Sequence, residues 1–98
     1  MDKQTFLAQN GTLKTCDVPL PSGDTVQVRE LTVRERGKLR ELTDDPVTAQ
    51  ARIVALGCPI LEGDAEAIMD LPGKMVSDMA DAILRLSGLM DDESPKAD

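Results

Sequence analysis

The sequence predicts a single α+β domain: an N-terminal β-hairpin packed against three to four short helices. Three observations carry that prediction. Apolar and polar residues alternate through Lys14 to Leu20 and again through Thr25 to Arg29, which is the period of a half-buried strand. Beyond Thr32 the apolar spacing changes to threes and fours, the period of a helix with one buried face. A length of 98 residues with 24 Leu, Ile, Val and Phe side chains leaves material for one core.

The first eleven residues form an N-terminal arm, loose or wound into a short helical turn, ahead of the Asn10-Gly11 turn signal. The domain proper is expected over residues 12–90. In its first strand Cys16, Val18 and Leu20 face a core while Thr15 and Asp17 face water. Pro19 and Pro21 end the strand, and Ser22-Gly23-Asp24 turns the chain into the return strand of Val26 and Val28. A two-stranded hairpin is barely stable alone, so its apolar side is expected to pack on helices.

Thr32 and Glu35 have the spacing of a capping box, which predicts a helix from Val33 to about Leu42, with Leu39 and Leu42 on one side. Gly37 weakens that helix. Asp45 is the expected cap of the next, with Pro46 in the first helical position, where its missing N–H costs nothing. Val47, Ala51, Val54 and Cys58 repeat along it, and Gly57-Cys58-Pro59 ends it. A short helix over Ala65 to Met69 points Ile68 inward, and Leu71-Pro72-Gly73 breaks the chain again. The closing helix repeats Met75 or Val76, Met79, Ile83 and Leu86, and Gly88 stands where a left-handed cap belongs. Residues 91–98 hold Asp91, Asp92, Glu93 and Asp98 against Lys96, the composition of an acidic disordered tail.

Composition narrows the function. There is no Trp, Tyr or His, and Phe6 is the one aromatic residue, so base-stacking platforms and ordinary zinc sets are disfavoured. The net charge of -7 argues against nucleic acid as a partner. The longest uncharged apolar stretch, Ile53 to Leu61, is too short to span a bilayer and is broken by Gly57 and Pro59. No membrane partner is expected, and a cytoplasmic location follows by exclusion. Cys16 and Cys58 are expected as free, core-flanking thiols rather than a disulfide. Asp78 and Asp81 share a helical face without any partner base or nucleophile, and Asp44-Asp45 reads as a cap. No catalytic, cofactor or metal constellation emerges, and no enzyme is expected.

Two features point toward binding. Residues 1–40 carry seven basic and five acidic side chains, whereas residues 41–98 carry four and thirteen. The cations concentrate at Arg29, Arg34, Arg36, Lys38 and Arg40. An ordinary solvated face accounts for them, as does a docking patch for an acidic segment formed by Arg34, Arg36, Lys38 and Arg40. The stripe Met75, Met79, Ile83 and Leu86 fits a core face and equally a partner-binding strip with a tendency to form homodimers. Periodicity does not separate the two.

The run Val18 to Glu35, a glycine-turned hairpin leading into Arg29-Glu30-Leu31-Thr32-Val33-Arg34-Glu35, is followed by helices, then Leu71-Pro72, then a closing helix ending in Leu86-Ser87-Gly88. In order and size this resembles the small tail assembly chaperones of tailed bacteriophages and prophages, over roughly residues 12–90. The resemblance implies a non-enzymatic helper of virion assembly in the bacterial host cytoplasm. Such a helper binds the long helical tape measure protein and keeps it soluble while tail tube subunits polymerise around it. In some phages a frameshifted form carries a second domain that recruits tube subunits. The chaperone is typically absent from the mature virion. The family supplies no catalytic residues. Two other functions remain open: a small structural or adaptor protein that stays in its complex, and an enzyme subunit completed by another chain.

Overall fold

A computed structural model describes residues 1–41 and 45–89, with the side chain of Arg40 excepted. Leu42, Thr43, Asp44, Met90 and the acidic segment 91–98 therefore lie outside the described residues, and so do the expectations placed on them. The chain is an α+β fold in which the hairpin packs against several short helices. In order it forms α1 (Lys3–Asn10), β1 (Thr15–Pro19), β2 (Thr25–Arg29), α2 (Val33–Lys38), α3 (Pro46–Gly57), α4 (Ala65–Ile68) and α5 (Gly73–Leu86). Single 3-10 turns follow α2 at Leu39–Glu41 and α3 at Pro59–Leu61.

The two strands pair antiparallel with Thr15 opposite Arg29, Val18 opposite Val26 and Pro19 opposite Thr25. Leu20 N–H donates to the Asp24 carbonyl at 2.8 Å, and Gly23 N–H donates to the Leu20 carbonyl at 3.0 Å. Closing so tight a loop requires Gly23 at φ +97°, a left-handed conformation open to glycine. The alternation does what its period dictates: Val18 and Val28 are buried, while Thr15, Asp17 and Gln27 face water.

Cap residues set the starts of α1 to α4. The Asp45 carboxylate accepts from Val47 N–H, with Pro46 just inside the helix, and the Asp64 carboxylate accepts from Ala67 N–H. At the far end of α5, Gly88 at φ +74° lets Leu89 N–H reach the Leu84 carbonyl at 2.9 Å, and Gly88 N–H reaches the Arg85 carbonyl at 3.1 Å. That pair of bonds satisfies carbonyls the helix itself leaves without donors. The arm is more ordered than a single turn. α1 runs for eight residues, capped by Asp2, yet buries none of its side chains. Its helicity comes from its cap and local bonds, so no apolar period marks it in the sequence.

The core lies where α5 crosses both strands and α3. Val28, Val54, Cys58, Ile68, Met79 and Ile83 are its largest fully buried side chains. α3 departs from the one-face pattern read in its sequence. Val47 is exposed in the first turn, whereas Ala51, Ile53, Val54, Ala55 and Gly57 are all buried. The reason is position: α5 covers one side of α3, and α4 with the Pro59–Leu61 turn covers another.

Contact between α3 and α5 depends on Gly57. A Cβ there would stand 2.7–2.9 Å from three side-chain carbons of Ile83, which is fully buried and has no room to retreat. Gly57→Ala is expected to destabilise the domain by about 1–3 kcal/mol through overpacking, despite alanine's better helix propensity. A Cβ on Gly37 would meet no atom within 4 Å, so Gly37→Ala is expected to stabilise by about 0.4–1 kcal/mol. Denaturant melts of the two variants should move in opposite directions.

Candidate functional site: the outer face of α2

The segment after β2 is bound to the domain by one arginine. The Arg29 guanidinium donates from both terminal nitrogens to the two Glu35 carboxylate oxygens, at 2.8 and 2.7 Å. It also donates to the backbone carbonyls of Glu30, at 3.0 Å, and of Leu56 in α3, at 2.9 Å. The planar fork of arginine suits such a bidentate pair, and both side chains are more than four-fifths buried. Glu35 completes the predicted capping box as well: it accepts from Thr32 N–H at 2.9 Å, while Thr32 Oγ1 accepts from Glu35 N–H at 3.1 Å. The hydrogen bonds from Arg29, reinforced by the Thr32 amide, hold the Glu35 carboxyl down to about 2 from its ordinary 4.5, although burial opposes the shift. Arg29 therefore leaves the group of solvent-facing cations. It joins β2, α2 and α3.

A second tie was not singled out from the sequence. The Ser87 hydroxyl, nearly buried at the end of α5, donates to the Ile83 carbonyl at 2.7 Å and accepts from Leu31 N–H at 2.9 Å. It satisfies a buried amide at the β2–α2 junction. Its signal in the sequence was no more than a serine beside a capping glycine.

With Glu35 turned inward, the rest of α2 points outward, and no residue of the helix is fully buried. Val33 is 87% exposed, and Arg34, Arg36 and Lys38 are exposed too. No hydrogen bond or ion pair ties the side chains of these three cations to another residue among those described. Arg36 and Lys38 sit in the last turn, where positive charge complements the helix dipole. The expected patch does not form as one surface. At about 100° per residue, Arg34 and Lys38 lie together and Arg36 lies on the opposite side. Lys38 borders a cleft of about 430 Å³ shared with Glu35, Glu41, Arg52, Leu56 and Glu62. Arg36 borders a separate groove with Gly37, Leu39 and Leu89. The Arg40 side chain lies outside the described residues, so its expected pairing with Arg36 does too.

The methionine stripe divides in the same plain way. Met79 and Ile83, proposed from the sequence as partner-binding or core, are core: Met79 is 1% exposed and Ile83 has no exposure. Met75 and Leu86 are half-buried at its margins. The stripe faces the hairpin and α3 rather than an open surface, because those are the elements α5 crosses.

Acidic candidates resolve less chemistry. Asp78 forms an exposed ion pair with Lys74 at 3.0 Å, one turn back on α5. Together with Asp17 and Asp81 it borders a groove beside β1. Among the described residues no group of three His, Cys, Asp or Glu side chains is placed to hold a metal ion. Both cysteines are free thiols, and burial pushes the Cys58 thiol up. No described helix is long and apolar enough to cross a membrane. Compared with family models, with curated proteins and with solved structures, the chain matches none.

Proposed function

We propose that the protein is a non-enzymatic tail assembly chaperone that holds a long helical client, the tape measure protein, through the outer face of α2. The observation that supports this reading best is that α2 turns only Glu35 inward and leaves Val33 and the cations Arg34, Arg36 and Lys38 exposed. An apolar side chain flanked by Arg36 on one side of the helix and Arg34 on the other suits an amphipathic, acidic helical segment, with the contact excluding water from Val33 and the cations setting register. The order of hairpin, capped α2 and glycine-ended α5 agrees with the resemblance to such chaperones. Tail tube subunits are further partners under this reading, reached through the assembling complex. The protein acts in the host cytoplasm and leaves before the virion is finished.

Co-expression with the tape measure protein of the same phage or prophage, followed by affinity purification, tests it. Wild type is expected to carry the client through. Arg34→Glu combined with Lys38→Glu is expected to lower recovery about tenfold at low salt with an unchanged thermal melt, and added salt should weaken wild-type capture as exposed charges are screened beyond about 8–10 Å. Equal recovery by the reversed variant removes α2 as the client surface. Retention of this protein in purified tails favours the adaptor function instead.

A further inference from the structure

The hairpin is a two-stranded sheet, so β1 has β2 on one side only. The bonds at its two ends fix which backbone groups face away. Glu30 N–H donates to the Lys14 carbonyl at 2.9 Å and Leu20 N–H to the Asp24 carbonyl at 2.8 Å, while the register between them sets Cys16 opposite Val28 and Val18 opposite Val26. Bonded and non-bonded pairs alternate along an antiparallel ladder. Cys16 and Val18 therefore bond to β2, and the N–H groups of Thr15 and Asp17 point outward with the carbonyls of Thr15, Asp17 and Pro19. Among the described residues nothing accepts from those two N–H groups. All three residues are exposed.

This open edge borders a groove of about 340 Å³ whose far wall is α5, through Asp78, Asp81, Ala82 and Arg85. Those four positions share one side of α5, next to the side that carries Met79 and Ile83 into the core. An unpaired edge facing a helix across a groove can take up an extended segment as an added strand. The main chain of such a segment bonds to Thr15 and Asp17, and every second side chain turns toward α5.

Charge selects the occupant. The groove carries Asp17, Asp78 and Asp81 against Arg85, and Asp78 also bonds Lys74. Residues three apart on a helix, as Asp78 and Asp81 are, have Cβ atoms about 5–6 Å apart. Alternate residues of a strand recur about 7 Å apart. Cationic side chains at alternate positions thus meet the two carboxylates in turn, with their apolar stems over Ala82. A second copy fits poorly. Antiparallel pairing of two β1 strands about their midpoint sets Asp17 against Asp17, and each Thr15 against a Pro19 that has no N–H to give.

We propose that the groove between β1 and α5 binds an extended segment of a partner protein, with lysine or arginine at alternate positions, as an added strand beside β1. It shares no residue with the outer face of α2, so this second surface stands or falls independently of the client assignment above.

The test adds synthetic peptides of alternating lysine and valine, or of alternating glutamate and valine, to the full chain at low salt. At saturation the lysine peptide should slow amide hydrogen exchange at Thr15 and Asp17 about tenfold or more, with little change at Cys16 and Val18, which already bond to β2. The glutamate peptide should bind about tenfold more weakly or worse. Asp78→Asn combined with Asp81→Asn should weaken the lysine peptide several-fold and leave the thermal melt nearly unchanged. Methylating every backbone nitrogen of the lysine peptide should abolish binding. Spectral shifts at Asp78 and Asp81 without slowed exchange at Thr15 and Asp17, or equal binding of the methylated peptide, overturn strand addition and leave only an acidic surface. Equal binding of the glutamate peptide overturns the basic specificity. Protection of Thr15 and Asp17 that grows with protein concentration in the absence of peptide gives the edge to a second copy instead. No binding of the lysine peptide at millimolar concentration overturns the proposal as a whole.

Discussion

Met79→Asp is expected to unfold the domain. Met79 is 1% exposed and sits where α5 meets the hairpin and α3. Removing a buried methionine side chain costs about 2–5 kcal/mol. A carboxyl group left there without a partner adds several more, because it must be desolvated or protonated. A domain of this size has roughly 5–15 kcal/mol in total. Circular dichroism should show loss of the cooperative melt at 25 °C. Met75→Asp provides the contrast: Met75 is only half-buried at the edge of the core, and its variant should stay folded with a lowered midpoint. A folded Met79→Asp protein would mean that α5 packs elsewhere in solution.

The second large effect is expected at Arg29, and it depends on pH. Arg29→Ala strips the Glu35 carboxylate of both its guanidinium bonds and leaves the Leu56 carbonyl without that donor. At neutral pH the loss should be about 2–3 kcal/mol, the scale for hydrogen bonds to charged groups when a partner stays behind. Glu35 titrates at about 2 in the folded chain and near 4.5 when unfolded. A carboxyl group depressed by folding contributes stability that is complete above the unfolded value and is lost as pH falls toward the folded one. The gap between wild type and Arg29→Ala should therefore be widest above about pH 5 and close progressively between 4.5 and 2. Arg29→Lys should fall between them, since an ammonium keeps the charge but cannot hold both carboxylate oxygens and the α3 carbonyl at once. Urea melts at pH 7 and pH 3 suffice, and an equal gap at both would remove Glu35 from the stabilising pair.

Local chemistry was the part of this fold that the sequence made legible. The hairpin follows from alternation around a glycine turn, α2 from Thr32 and Glu35, α3 from Asp45 and Pro46, and the end of α5 from Gly88. Each of those signals acts within a few residues, so the sequence displays it directly. Arg29 was different. Its neighbours Arg34, Arg36 and Lys38 made it look like one more member of a basic run, and only the direction of β2 relative to α2 and α3 turns it inward onto Glu35 and Leu56. Met79 and Ile83 had a helical period, which states that two residues share a face but not what covers that face. The basic patch failed for a related reason. A run of cations along the chain is wound by the helix onto two sides, so nearness in sequence became separation in space for Arg36 and Lys38.

The bond between Leu31 and Ser87 also bears on the order in which the molecule assembles. It joins positions 56 residues apart, and the length-dependent entropy of closing such a loop is about 3–4 kcal/mol. Helical turns such as α3 can form within microseconds from neighbouring residues, and β2 also meets the Pro59–Leu61 turn, but the hairpin lacks its main cover until α5 arrives. A chain still being synthesised thus presents its hairpin largely uncovered for as long as the ribosome takes to reach Ser87, roughly three to eleven seconds beyond Leu31 at about 5–20 residues per second. During that interval the nascent protein is itself a sticky, unfinished sheet face, and α5 is the helix that ends the exposure.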